Sequence, residues 1–462
     1  MRLLFVLFFF CWGCACGSES YRAAVVDVKE FEPITHNKYT WLIYEAAKAN
    51  VDLLVLPSPR VISDANKESC ANGEGNFDEV VTAVSAAAQS AQMYVVAPLY
   101  ERVTCQDKVE LVSSNLVFDR TGALIAVHRK ASNNFTKCNT TSSTVGRFTT
   151  DFGVTFGIVV EEDLILASPQ DIAGIENFVV TDNTLSKKSF LFAKQFESSF
   201  AFVNKVNVIS SSGEITGERT PPLIIAKLRK NGSDHSTLLA NPPRSFPSED
   251  LSQYVSKPLN VEASLRGYSD SVCHGTFCCQ FYVKSSSIGT NPQDISYGLM
   301  AFDGIHQSGS TNIGVQACSL VACAGLYKRS CFIGSKNTTA DIKFSQVSIN
   351  ANFSKENSAQ FPTVLTTAQT IFNSGNLKFS IVNKEQKSVT SEIYNTENIL
   401  TFGIVGRDYS KDFNDVRNNT KGYILDFSEY ISSENVQEFF DYVWIRLRVL
   451  IFIVSVYILE MM

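Results

Sequence analysis

A chain of 462 residues, 45% hydrophobic and 19% charged, carries enough apolar material for a large core and two domains, and is not disordered in composition. Its formal charge of −6, from 40 basic and 46 acidic residues without basic clusters, leaves no electrostatic footprint for nucleic acid, which is set aside as a partner.

Arg2, the apolar run from Leu3 to Trp12 and the small residues up to Gly17 fit a signal peptide over residues 1–17, too short for a membrane span. Its removal takes Cys11, Cys14 and Cys16 and leaves Cys70, Cys105, Cys138, Cys273, Cys278, Cys279, Cys318, Cys323 and Cys331. Nine is odd, so in an oxidising compartment at least one is free or intermolecular. Asn-x-Ser/Thr sequons at Asn134, Asn139, Asn231, Asn337, Asn352 and Asn418 agree with secretion.

Residues 21–28 read as a strand, 39–50 as a helix by apolar spacing, and 51–57 as a strand ending at Pro57. A helix over 77–92 and a strand over 94–99 follow, then a hairpin over 116–127 turning at Asp119-Arg120-Thr121-Gly122. Strands alternating with helices, then a hairpin, predict an α/β domain with a mixed sheet. Within 152–169 an apolar run is bounded by Gly157 before it and by Glu161, Glu162 and Asp163 after it. That pattern predicts a buried strand ending in a sharp turn, the place for an elbow-type nucleophile.

Residues 189–209 read as a further helix and strand, the domain ends near Leu228, and the proline-rich stretch 241–247 reads as a linker. Beyond it, short alternating runs predict a mainly β second domain. Cys273-x4-Cys278 and Cys318-x4-Cys323 read as disulfide cysteines, since metal knuckles use two-residue spacing and no histidine pair accompanies them. With no glycine-rich phosphate loop and no metal-ligand constellation, no cofactor is expected. The terminal apolar run 449–459, preceded by Arg446 and Arg448 and by a polar spacer from Ser432-Ser433, resembles a glycosylphosphatidylinositol signal; a membrane helix or a core terminus stays open.

The segment Phe152-Gly153-Val154-Thr155-Phe156-Gly157-Ile158, with Asp163 and Pro169 beyond it, resembles the nucleophile strand of the nitrilase-like carbon–nitrogen hydrolases, in the vanin/biotinidase (pantetheinase) branch. In this register the nucleophilic cysteine is replaced by Glu161, and no cysteine lies between Cys138 and Cys273. A second motif, an apolar strand followed by proline and the general-base glutamate, here reads Pro57-Ser58, so the base is replaced by a serine. The third, the family's lysine that stabilises the oxyanion, is retained as Lys130 in His128-Arg129-Lys130, although the substrate-facing loop after it departs at residues 131–134. Val272-Cys273-His274-Gly275-Thr276-Phe277-Cys278-Cys279 and the stretch 297–306, followed by Cys318 and Cys323, look like the cysteine-bearing β domain of vanins.

The resemblance implies an α/β fold, a nitrilase-like four-layer α-β-β-α sandwich over residues 18–240 with a smaller, mainly β C-terminal domain over 248–430 and a tail over 431–462. It implies a secreted or cell-surface vanin-like protein, catalytically inactive, that keeps a surface for a small amide-like ligand or a cell-surface protein partner, with a C-terminal lipid anchor as its route to the membrane. The alternative is an active amidohydrolase of pantetheine or biotin amides, for which Cys138 is the nearby candidate nucleophile. Three further expectations follow: a Lys130–Glu161 ion pair filling the site, structural roles for His128, His274 and His306, and disulfides that pair Cys70 with Cys105 and the six later cysteines among themselves.

Overall fold

The structure is a computed structural model, described over residues 18–27, 36–57, 62–63, 79–105, 108–130, 143–160, 163–181, 194–211, 215, 217–232, 239–240, 251–287, 296–308, 311–323, 331, 342–366, 370–371, 375–383 and 385–412. The signal segment, Ser58, Cys70, Cys138, Glu161, Asn134, Asn139, Asn337, Asn418, the 241–247 linker and the 431–462 tail lie outside the described residues.

In chain order the first domain comprises β1 (Ser20–Val26), α1 (His36–Lys48), β2 (Leu53–Val55), β3 (Ile62–Ser63), α2 (Glu79–Ala91), β4 (Tyr94–Cys105), β5 (Lys108–Phe118) and β6 (Leu124–Arg129). It continues through β7 (Gly146–Thr149), β8 (Thr155–Val160), α3 (Asp163–Leu166), α4 (Pro169–Ile172), β9 (Asn177–Thr181), α5 (Lys194–Asn204), β10 (Asn207–Ser210), β11 (Glu218–Thr220) and β12 (Leu223–Arg229). One mixed sheet has the order β11-β12-β1-β2-β4-β5-β6, with β3 on β4; the second has the order β10-β9-β8-β7.

Ala23 to Val26 and Leu53 to Val55 form unbroken apolar runs because these strands are buried on both faces. One face of the large sheet meets the helices. Tyr39, Leu42, Ile43 and Ala46 on α1 and Val80, Val81, Val84, Ala87 and Ala88 on α2 keep the three-and-four spacing of a core-facing stripe. The other face meets the second sheet through Val25, Val55 and Val117 against Phe156, Ile158, Val179 and Ile209. On the far side of the second sheet, Phe178 and Phe200 pack edge to face with ring centroids 5.3 Å apart, which seats α5 as the fourth layer. The layers are the α-β-β-α sandwich implied by the resemblance.

Gly157 departs from the expected role of strand boundary. It sits inside β8, where a Cβ would come within 2.6 Å of the Phe178 ring, so the residue is small because a neighbouring ring takes its space.

The second domain follows β13 (Leu239–Ala240) and comprises β14 (Val255–Pro258), α6 (Val261–Ser264), β15 (Tyr268–His274), β16 (Phe277–Ser287), β17 (Ser296–Ser308), β18 (Thr311–Cys323) and β19 (Lys343–Phe353). It closes with β20 (Ser358–Thr366), β21 (Thr370–Ile371), β22 (Leu377–Asn383), β23 (Lys387–Glu397) and β24 (Ile399–Asp408). Two five-stranded sheets, β14-β17-β18-β24-β20 and β15-β16-β19-β23-β22, enclose a core that includes Val347, Ile349, Leu320 and Phe402. Alternate residues of β19, Val347, Ile349, Ala351 and Phe353, point into it, as period-two burial requires.

The outer face of the β18-containing sheet covers α5. Phe196 and Phe361 meet at 5.0 Å, and the Ser199 hydroxyl donates to the Pro362 carbonyl at 2.5 Å. This explains why every residue from Gln195 to Phe200 is buried, where an ordinary outer helix would keep a polar face. Three disulfides, Cys273–Cys278, Cys279–Cys318 and Cys323–Cys331, pair the six later cysteines among themselves, as expected.

Candidate functional site

Strand direction brings the carboxyl ends of β2 and β6 to one rim of the large sheet. β1, β2 and β4 run parallel, and β6, two antiparallel steps beyond β4, runs in the same direction. β2 therefore leads to Pro57, and β6 to Lys130, on the same edge of the large sheet. In the second sheet β8, β9 and β10 are parallel.

A buried polar bridge ties the two edges together. Asn115, opposite His128 in the β5–β6 ladder, donates from Nδ2 to the Val159 carbonyl at 3.2 Å and accepts from the Thr181 hydroxyl at 2.7 Å. The carboxyl ends of β8 and β9 thus lie over the carboxyl end of β6, and the chain leaves β8 at Val160 beside it. Such a bridge is fully paired between the two groups, as a buried amide must be to avoid a desolvation penalty.

Lys130 continues the ladder: its backbone N–H donates to the Ser113 carbonyl at 2.8 Å. Alternation places it on the face of β6 shared with Ala126 and His128, the face turned toward the second sheet, and it is half-buried. Ser58 follows Pro57 and Glu161 follows Val160, but both lie outside the described residues, and with Glu161 the expected Lys130–Glu161 ion pair does too.

Glu101 was not singled out by sequence reasoning, yet it is a buried carboxylate on β4, two strands from β6. Arg129 holds it with Nε–Oε2 at 2.6 Å and Nη2–Oε1 at 3.1 Å, and the Ser114 hydroxyl donates to it as well. By alternation with Leu99 it faces the helix layer, away from the inter-sheet face that carries His128 and Lys130.

His128 packs between the sheets, where a Cβ on Gly146 would approach its imidazole to 2.7 Å. Burial lowers its pKa to about 4 against the opposing effect of a backbone hydrogen bond at Thr144. His306 is likewise lowered to about 4, by burial and then by the Arg407 charge. Both rings are neutral near pH 7, and the unfolded chain binds protons at 6.5 that the folded chain refuses until about 4. Stability from these two groups is therefore complete above pH 6.5 and is lost as the pH falls toward 4, by up to about 3 kcal/mol each. Denaturant midpoints measured from pH 7 to 4 are expected to fall more steeply for the native chain than for His128→Gln/His306→Gln. His274 accepts at Nδ1 from the Asp303 N–H at 2.8 Å and stacks on Phe302, a structural role like that of the other two.

Behind the rim, α3 begins at Asp163. The carbonyl of Ile165 accepts from Arg407 Nε at 2.9 Å and that of Ala167 from the Tyr409 hydroxyl at 2.9 Å, both from the second domain. Sequence reasoning missed this contact. Its visible signal was an arginine on the face of β24 that turns to the first domain, in alternation with Thr401, Gly403 and Val405.

Comparisons with known proteins give the family. A family model described as carbon–nitrogen hydrolase matches residues 24–162, and one described as the vanin C-terminal domain matches residues 245–412. The chain is 23% identical to Vanin-like protein 1 of Drosophila melanogaster over 459 residues, covering 81% of this chain and 82% of that protein. It is 24% identical to Vanin-like protein 2 of the same fly over 378 residues, covering 66% and 72%. Among solved structures it is similar to an amidase from Nesterenkonia sp., 15% identical with a TM-score of 0.34 over 46% of this chain and 92% of that one. It is also similar to Nit3 of Saccharomyces cerevisiae, from branch 10 of the nitrilase superfamily, 18% identical with a TM-score of 0.34 over 46% and 91%.

Proposed function

Because the chain belongs to the vanin-type branch of the carbon–nitrogen hydrolase family, we propose that it is a secreted or cell-surface member that hydrolyses no amide and uses the retained rim to bind a small amide-like ligand or to present a partner surface. The reading rests on the sequence register, in which Ser58 and Glu161 stand where the family has glutamate and cysteine while Lys130 is kept, and on strands β2, β6 and β8, whose described carboxyl ends lie toward one edge. A serine hydroxyl takes no proton from a thiol near neutral pH, and there is no thiol at position 161 to lose one. Lys130 keeps the one property useful to a binder, a cation on the inter-sheet face that attracts a carbonyl oxygen.

Secretion is supported by the three disulfides of the second domain, a feature of oxidising compartments, and by sequon residues Asn231 and Asn352, which are exposed. Among the described residues no helix is long and apolar enough to cross a membrane. Attachment through a lipid near Ser432-Ser433, with loss of the apolar run 449–459, is the anchoring mode that the tail's pattern favours.

The test is turnover of a chromogenic pantetheine amide by the purified chain beside a vanin-type enzyme with an intact triad. The reading expects release at the buffer rate. Turnover that persists in Cys138→Ala and stops in Lys130→Ala would replace it with an active amidohydrolase.

A further inference from the structure

We propose that Arg407 and Tyr409, on the C-terminal domain, are positioning residues of the rim: they hold by its carbonyl oxygens the turn that begins two residues after position 161. The proposal rests on the reading of that rim as a ligand site, while the contact itself is independent of what binds there.

The turn is poorly able to hold its own shape. α3 is four residues long, Asp163 to Leu166, and closes on one further backbone bond, Ala167 N–H to Asp163 carbonyl at 3.0 Å. A single helical turn is unfavourable by itself, since nucleation fixes several dihedrals for one hydrogen bond, and its last carbonyls have no partner within the helix. All four of its residues are buried, so those carbonyls need protein donors. The second domain supplies two of them, from residues 242 positions further along the chain.

The donors are themselves fixed. The Arg407 side chain is 0% exposed. Its Nη1 donates to the Gly314 carbonyl and its Nη2 to Asp412 Oδ2 at 2.6 Å, while Asp412 Oδ1 accepts from the Gly314 N–H at 2.9 Å. The guanidinium lies 4.7 Å from the centre of the Tyr409 ring. Charge is thus balanced within the second domain, and what reaches Ile165 and Ala167 is directional hydrogen bonding from a rigid fork and a phenol. A group that only filled space would have no reason to present two donors, spaced to alternate carbonyls of one turn. The consequence is that the shape of the turn at 163–167 is set by the C-terminal domain, and a ligand that moves that turn must work against β24.

Tyr409→Phe removes one hydroxyl and keeps the ring over the guanidinium, so the full chain folds and the proposal stays testable. Hydrogen exchange on this variant is expected to accelerate by about tenfold at the amides of residues 164–167, the effect of one lost hydrogen bond on a local opening, with amides of β8 and β9 unchanged. Unchanged exchange at 164–167, or acceleration spread evenly over both domains, would overturn the proposal and leave the contact as general packing. A second arm measures calorimetric binding of a pantetheine anilide to the native chain and to Tyr409→Phe. Weaker binding by the variant supports positioning, and equal binding with accelerated exchange overturns it. No binding by the native chain would count against the ligand reading of the rim alone, and the exchange arm would then decide the contact.

Discussion

Ser58→Glu combined with Glu161→Cys is expected to raise pantetheine-amide hydrolysis by several orders of magnitude, while each change alone leaves the rate at background. The two groups act as a unit: the thiol is a nucleophile only once the carboxylate has taken its proton, and the carboxylate has nothing to activate without the thiol. Removal of groups coupled in this way costs on the order of a millionfold in other hydrolases, which sets the ceiling for the gain. The gain falls short of that ceiling because the loop after Lys130, residues 131–134, differs from the family pattern and substrate placement is part of the rate. Lys130→Ala in the double variant is expected to return the rate to background, since the oxyanion then lacks its cation. Initial rates for the four proteins, each checked for folding by circular dichroism, decide the matter.

Arg407→Met is expected to destabilise the chain by about 3–5 kcal/mol, the usual cost of breaking a buried ion pair from one side. The substitution leaves Asp412, whose side chain is 7% exposed, without its cation, and the carbonyls of Ile165 and Gly314 without a donor. Arg407→Met/Asp412→Leu is expected to cost less than the single change, because no unpaired charge remains. Surface pairs offer the contrast. Lys343–Glu397, at 63% and 57% exposure, is worth at most about 1 kcal/mol, and Lys343→Met should pass almost unnoticed. Midpoints of denaturant unfolding for these variants test the ordering. Equal costs for Arg407→Met and Lys343→Met would show that the contact contributes nothing beyond its surroundings.

Much of the first domain was legible because its strands are buried on both faces and so read as apolar runs, as in Ala23 to Val26 and Leu53 to Leu56. The Asp119–Gly122 turn was legible for a steric reason: Gly122 takes a φ of +80°, and a Cβ there would lie 2.6 Å from the Ser85 carbonyl oxygen. β4 runs on to Cys105, past the end expected at residue 99, because Glu101 interrupts the apolar pattern and its compensation by Arg129 exists only once β4, β5 and β6 are side by side. Gly157 misled for the opposite reason, a glycine looking like a boundary when a ring from β9 had claimed its side-chain space.

Of the three candidate site positions, Ser58, Lys130 and Glu161, only Lys130 lies within the described residues, just past the end of β6. What surrounds it was not legible in the sequence. Asn115 bridges to Val159 and Thr181 over separations of 44 and 66 residues, and Arg407 reaches a carbonyl 242 residues away, so neither leaves a local pattern to find. Cysteine usage separated the second domain's bridges, whereas which of the fifteen arrangements is made depended on the β15–β16 register for Cys273–Cys278, on the packing of β16 against β18 across the two sheets for Cys279–Cys318, and on the local pairing of Cys323 with Cys331.

The proposed function requires that a cysteine placed at position 161 act as the nucleophile, so that the native side chain alone disarms that position. The most direct measurement is intact-mass and peptide mass spectrometry of Ser58→Glu/Glu161→Cys quenched during pantetheine-amide turnover. The account predicts a single acyl adduct mapped to position 161 and lost on hydroxylamine treatment. An adduct on Cys138, or none on a folded protein that turns the amide over, would contradict it.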